Sequence, residues 1–200
     1  MILLKSHLAL LALLLTSVPA FADPTLPDAS LPVSSLVANG NALLAAGDKH
    51  GALDHFDAAL RKDPTNYLTL FKRATTYLSL GRSSQASADF DAILSLKPDF
   101  EAALLQRAKL KAKVGEWEAA RSDYVLAGET RHLEAIKEIE EARVAAQAAE
   151  AAEMKRDWET CVERSGQAIV VASQVSRLRA MRARCRIEKG DVHEAVGDLT

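Results

Sequence analysis

Gly47, Gly81 and Gly115 are evenly spaced, and Pro64 and Pro98 repeat the same interval of ~34 residues. Ala52, Ala86 and Ala120 fall in register with them, as do Phe56, Phe90 and Tyr124. A fixed period of this length means one supersecondary unit stacked on copies of itself. The residue types say which unit. Glycine allows a tight turn between two antiparallel helices, alanine lets those helices cross closely, and a ring fills the next gap. Proline then closes the second helix, because it cannot continue the hydrogen-bond ladder. Only nine Gly, six Pro and 5% aromatic residues occur in 200 positions. That composition argues against a chain of many tight β-turns and against one core built on large rings.

Period and pattern are those of the tetratricopeptide repeat. The expected fold is therefore all-α, an α-solenoid of antiparallel helix pairs. Residues 33–130 hold three repeats: Val33 to Asn66, Tyr67 to Phe100, and Glu101 to about Thr130. The third lacks its closing proline, and the register then slips. Arg156-Asp157-Trp158 takes the turn made earlier by Gly115-Glu116-Trp117, but two helical turns later than the period requires. The surplus lies in Arg131 to Lys155, rich in Ala and Glu and free of Gly and Pro. Such a segment predicts one long helix of ~37 Å, serving as the first helix of a fourth repeat and as a spacer between two repeat groups. Residues 131–200 are thus that helix, the fourth repeat and a fifth. The fifth repeat regains register at Gly190-Asp191 and ends inside its second helix at Thr200, which suggests a piece of a longer protein because solenoid ends need a polar cap.

Residues 1–22 read differently. Lys5 gives a short positive region, Leu8 to Val18 an apolar run, and Ala20-Phe21-Ala22 small residues at −3 and −1. This is the pattern of a secretory signal peptide, and the run is too short to span a bilayer core that needs ~20 apolar residues. Residues 23–32, with Pro24, Pro27 and Pro32, predict an extended lead-in. The 25 basic and 27 acidic side chains leave no cationic excess, so nucleic acid is not an expected partner.

The first helices of successive repeats should line a concave groove, with positions 2, 5, 9 and 12 facing it. These are Ser34, Val37, Asn41 and Leu44, then Leu68, Phe71, Thr75 and Leu78, then Ala102, Leu105, Lys109 and Ala112. Val37, Asn41, Leu44, Leu68, Phe71, Leu78 and Leu105 are the candidate binding residues. A contiguous apolar surface marks a partner site, although the same side chains could simply complete helix packing. The groove does not suit the acidic C-termini gripped by a carboxylate clamp of Lys, Asn, Asn, Lys and Arg. Val37, Asn41, Lys72, Ala102 and Gln106 occupy the matching positions, and only Asn41 agrees.

Catalytic chemistry finds no support. The five His show no metal spacing, and there is no Gly-rich phosphate loop, nucleophile elbow or paired catalytic carboxylate. We expect neither enzyme activity nor a cofactor or metal. Cys161 and Cys185 are the only cysteines. In a secretory compartment they are a candidate disulfide, and otherwise two buried small hydrophobes. Arg177, Arg179, Arg182, Arg184 and Arg186 spread around one helix and suggest a solvated or ion-paired surface, with Asp157, Glu159 and Glu163 as neighbours.

Phe71-Lys72-Arg73-Ala74-Thr75-Thr76-Tyr77-Leu78-Ser79-Leu80-Gly81 and Lys97-Pro98-Asp99-Phe100-Glu101-Ala102-Ala103-Leu104-Leu105-Gln106-Arg107 go beyond a generic repeat. So do Leu178 to Cys185 and the block from Lys189-Gly190-Asp191 to Asp198-Leu199. From about Val33 to Thr200 the chain resembles the DnaJ homolog subfamily C member 3 family, endoplasmic-reticulum co-chaperones with nine tetratricopeptide repeats and a J domain. The resemblance implies an arm that binds unfolded or misfolded polypeptide in the lumen of the endoplasmic reticulum. It also implies delivery to the lumenal Hsp70 (BiP) through a J domain. The His-Pro-Asp tripeptide of a J domain does not occur, since none of the five His precedes Pro. The rival expectation is a secreted or periplasmic tetratricopeptide scaffold that docks one folded partner.

Overall fold

A computed structural model describes residues 27–28 and 30–199. The signal-peptide segment 1–22 and residues 23–26 and 29 of the lead-in lie outside the described residues. Ten α-helices and one 3-10 helix, with no strand, make up the described chain. They are α1 (Val33–Ala45), α2 (Lys49–Lys62), α3 (Tyr67–Ser79), α4 (Ser83–Leu96), α5 (Glu101–Lys113), α6 (Trp117–Gly128), the 3-10 turn Glu129–His132, α7 (Leu133–Met154), α8 (Trp158–Val171), α9 (Ser176–Lys189) and α10 (Val192–Leu199). The all-α tetratricopeptide fold is as the period requires. The described residues fall into two compact units that meet in sequence between Asp63 and Pro64.

Short polar caps start several of these helices. Asp48 accepts from the Gly51 N–H, Asn66 from Thr69 and Asp157 from Thr160, each satisfying a donor that the first helical turn leaves free. The turns between paired helices need a left-handed residue, and glycine supplies it at Gly47, Gly81 and Gly115 with φ of 87°, 73° and 80°. At the α7–α8 turn Arg156 takes that conformation instead, with φ 62°.

In the first unit, α1 and α2 cross where Gly40 leaves room for the Phe56 ring. A Cβ at Gly40 would stand 2.6 Å from a ring carbon. Phe56, Leu36 and Ala52 are fully buried there. In the second unit the same positions recur as Ala86 with Phe90 and Ala120 with Tyr124. In the fourth repeat Cys161 holds the alanine position and Ser165 the ring position, both fully buried. The Ser165 hydroxyl donates to the Cys161 carbonyl at 2.6 Å, so its burial is compensated.

A buried ion pair recurs with the repeat. Arg73 donates to Asp89 in a two-pronged contact (2.9 and 2.6 Å), and Arg107 does the same to Asp123 (2.8 and 2.7 Å). Arg182 pairs with Asp198 at the same positions relative to its own turn, donating through two nitrogens to one carboxylate oxygen. Each clasp joins the two helices of one repeat. Lys111 adds a second cation to Asp123 at 2.9 Å, and Arg186 to Asp198 at 2.7 Å. Burial pushes the Asp123 carboxyl up, but hydrogen bonds from Arg107 and Lys111 outweigh it and hold the group below its ordinary 3.8. The hydrogen bond to Asp123, with Asp91 adding to it, raises the Arg107 guanidinium well above its ordinary value, against the effect of burial. In the first repeat buried His55 holds the acid's position, its Nδ1 lying 2.9 Å from the Gly51 carbonyl.

The long helix is shorter than the sequence suggests. Gly128, with φ 124°, ends α6, and residues 129–132 form the 3-10 turn, so α7 is 22 residues long and starts at Leu133 instead of Arg131. Its stripe of Ala142, Ala145, Ala146, Ala149 and Ala152 is buried, which brings α7 and α8 into close contact. Trp117 packs against both the α5–α6–α7 core around Tyr124 and Ile139 and the α7–α8–α9 core around Met181. Residue 130, where the sequence placed a boundary between repeat groups, therefore falls within the second unit.

Candidate functional site

The second unit contains a cleft of about 920 Å³. Its lining comes from the end of α3 and the turn into α4, from α5, from Tyr124 on α6, from the first half of α7 and from the end of α8 with the loop after it. The length difference between α7 (22 residues) and α8 (14 residues) leaves the start of α7 unpaired by α8. There Ile136 and Ile139 pack toward α5 and α6. The loop after α8 folds onto the α5–α6 turn, where the Gln174 N–H donates to the Lys113 carbonyl at 2.9 Å. Val175 fits against Gly115, where an added Cβ would come within 3.0 Å of it.

Leu78, Leu110, Ala112, Ile139, Ala142 and Val171 are buried or half-buried and give the cleft an apolar floor. Val170, 82% exposed, adds an apolar lip. Polar residues form the rim: Gln106, Lys109 and Lys113 from α5, Glu138 and Glu141 from α7, and Gln167 and Gln174 from α8 and its loop. A glutamine amide both donates and accepts, so Gln106 and Gln174 can bond the backbone of a bound chain without reading its side chains, whereas Gln167 is already engaged by Glu163 and Arg164. Burial and the nearby Glu138 push the Tyr124 phenol in the cleft lining above its ordinary 10.0.

Of the seven groove residues expected from the sequence, Leu78 lines this cleft. Phe71 is half-buried in a ring stack, 5.4 Å from Phe100 and 6.0 Å from Phe90, and Tyr67 meets Phe100 edge-on at 5.3 Å. Leu105 packs onto the core of Ala108, Ala112 and Tyr124. Leu68 is 52% exposed and is not part of the lining. In the first unit Val37 packs on Leu36, Ala58 and Ala59, Leu44 is half-buried and Asn41 is exposed. The α7 and α8 contributions were not foreseen, because counting groove positions along first helices stops where the repeat register slips.

Cys161 and Cys185 are joined in a disulfide that ties α8 to α9, both sulfurs lying inside the core with Ala149, Ala168 and Met181. Four of the five arginines of α9 are ion-paired, with partners other than those expected, and Arg179 donates to the Ser173 carbonyl. Arg177 meets Glu150, Arg184 meets Glu153, and Arg182 and Arg186 share Asp198. Among the described residues no His, Cys, Asp and Glu cluster could hold a metal ion, and no helix is long and apolar enough to cross a membrane.

A tetratricopeptide repeat family model matches residues 55–86. The chain is 50% identical over 196 residues to the "Tetratricopeptide repeat and J domain-containing co-chaperone DNJ1" of Fusarium oxysporum f. sp. lycopersici, covering 96% of this chain and 38% of that protein. The chain has a tetratricopeptide-repeat fold and is similar in sequence to co-chaperones that carry a J domain. It is also 36% identical over 169 residues to human DnaJ homolog subfamily C member 3, covering 80% of this chain and 33% of the relative. The crystal structure of the P58(IPK) TPR domain superposes with a TM-score of 0.74 at 31% identity, covering 84% of this chain and 49% of that one. The chain thus spans about a third of the length of the curated relatives it matches, 38% and 33%.

Proposed function

We propose that this chain is the client-holding arm of a DnaJ-type co-chaperone of the endoplasmic-reticulum lumen, binding unfolded polypeptide and passing it to the lumenal Hsp70. The observation that carries this reading is the cleft: an apolar floor for hydrophobic side chains beneath a rim of glutamine amides for peptide backbone. Unfolded chains differ from folded ones in exposing those two things together, apolar side chains and unpaired backbone groups. The homology to J-domain co-chaperones supports the hand-over, which needs the His-Pro-Asp tripeptide that these 200 residues do not contain. The signal-like segment 1–22 and the buried disulfide support a secretory compartment.

The test is suppression of aggregation of a reduced, denatured model protein by the purified chain, beside a Val170→Asp variant. Val170 is 82% exposed on the cleft lip, so its replacement should leave the helices intact by circular dichroism. Suppression by the wild type, weakened severalfold in the folded variant, supports client binding in the cleft. A folded wild type that suppresses nothing favours the scaffold that docks a folded partner.

A further inference from the structure

The cleft walls carry opposite charge. Lys109 and Lys113 lie one helical turn apart on α5, and Glu138 and Glu141 one turn apart on α7. All four are exposed, and among the described residues none has a salt bridge or side-chain hydrogen bond. Their neighbours on the same helices are already committed. Lys111 is held by Asp123, Lys137 by Glu134, and Glu140 by Arg143 and Arg121. Two cations and two anions therefore face one void without meeting across it, and the apolar floor at Leu110 and Ile139 lies between them.

We infer that the cleft prefers an apolar polypeptide segment carrying acidic residues along one edge and basic residues along the other. An acidic edge would pair with Lys109 and Lys113, and a basic edge with Glu138 and Glu141. A segment of one sign gains on one wall and is repelled by the other, so the mixed segment is favoured over either. This inference rests on the client-holding reading and assigns that cleft its selectivity.

The probes are fluorescent twelve-residue peptides sharing one set of apolar residues, with their two edges both neutral, both acidic, both basic or one acidic and one basic (mixed), titrated into the purified chain. At low salt the mixed peptide should bind about three- to tenfold tighter than the neutral one, the range that a few exposed ion pairs supply. The advantage should vanish in roughly 0.5 M NaCl, where screening is strong. Lys109→Gln with Lys113→Gln should reduce that advantage and strengthen the basic peptide relative to the mixed one. Glu138→Gln with Glu141→Gln should do the same for the acidic peptide. Equal binding of neutral and mixed peptides overturns the selectivity and leaves the client-holding reading standing. Variants that weaken every peptide alike also overturn it. Failure of all four peptides to bind the folded chain removes the client-holding reading and this inference together.

Discussion

At the scale of single residues, the recurrent clasp between an arginine and an aspartate matters most. Asp123 is almost fully buried, and it accepts from Arg107 and from Lys111. Asp123→Asn keeps the shape but leaves two cations facing a neutral group, and removing one partner of such a buried pair costs about 3 kcal/mol. Urea unfolding at pH 7 should show that loss. The pH dependence has a definite sign. Because the folded-state value of Asp123 is depressed below 3.8, its contribution is present above that pH. The contribution disappears as pH falls through the folded value, so wild type and variant should converge in acid. A difference that persists undiminished at low pH would contradict the ionic account. The spacing was legible in the sequence, since Arg73 and Arg107, like Asp89 and Asp123, stand one repeat apart. Reading it as a clasp required knowing that the two side chains point toward each other.

At the scale of elements, the turns and the long helix separate what pattern reveals from what packing imposes. The periodic glycines announce left-handed turns, and the structure has them there. Arg156 adopts the same conformation without being glycine, which costs an L-residue roughly 1 kcal/mol. Arg156→Gly should therefore raise the midpoint of thermal unfolding by a few degrees. An unchanged or lower midpoint would show that the Arg156 side chain offsets the strain. The start of α7 was harder to read. Nothing between 131 and 155 breaks a helix, but Gly128 ends α6 just upstream, so residues 129–132 take up a tighter 3-10 turn. The α7 face is a stripe of alanine, whose small side chains give little contrast between faces. Which side was buried became clear only when α8 lay against it.

At the scale of the whole molecule, repeats are stabilised largely by their neighbours, so a weak repeat needs a separate device. The fourth repeat has Ser165 where the first three place Phe or Tyr, and the Cys161–Cys185 disulfide lies beside it. Replacing both cysteines with alanine should cost about 3 kcal/mol. Amide exchange would then show α8, α9 and α10 opening before α3 to α6, and reductant should reproduce this in the wild type alone. Uniform opening of the second unit would mean that the bridge is incidental.

By itself the sequence determined the repeat, the helix pairs, the turns and the rings that fill them. Each of these depends on local stereochemistry repeated at a fixed interval. It pointed to a concave apolar surface but placed it by counting positions within a register that fails after residue 130. Tertiary structure decided which of those positions remain open. Phe71 is half-buried among rings and Leu105 is spent on packing, while Leu78 stays in the cleft floor. It also decided that α7, longer than its partner, would bring Glu138 and Glu141 opposite Lys109 and Lys113. No spacing in the sequence encodes that encounter, because it arises from the length mismatch of two packed helices and from the loop after α8, which bonds to the end of α5 through Gln174 and Lys113.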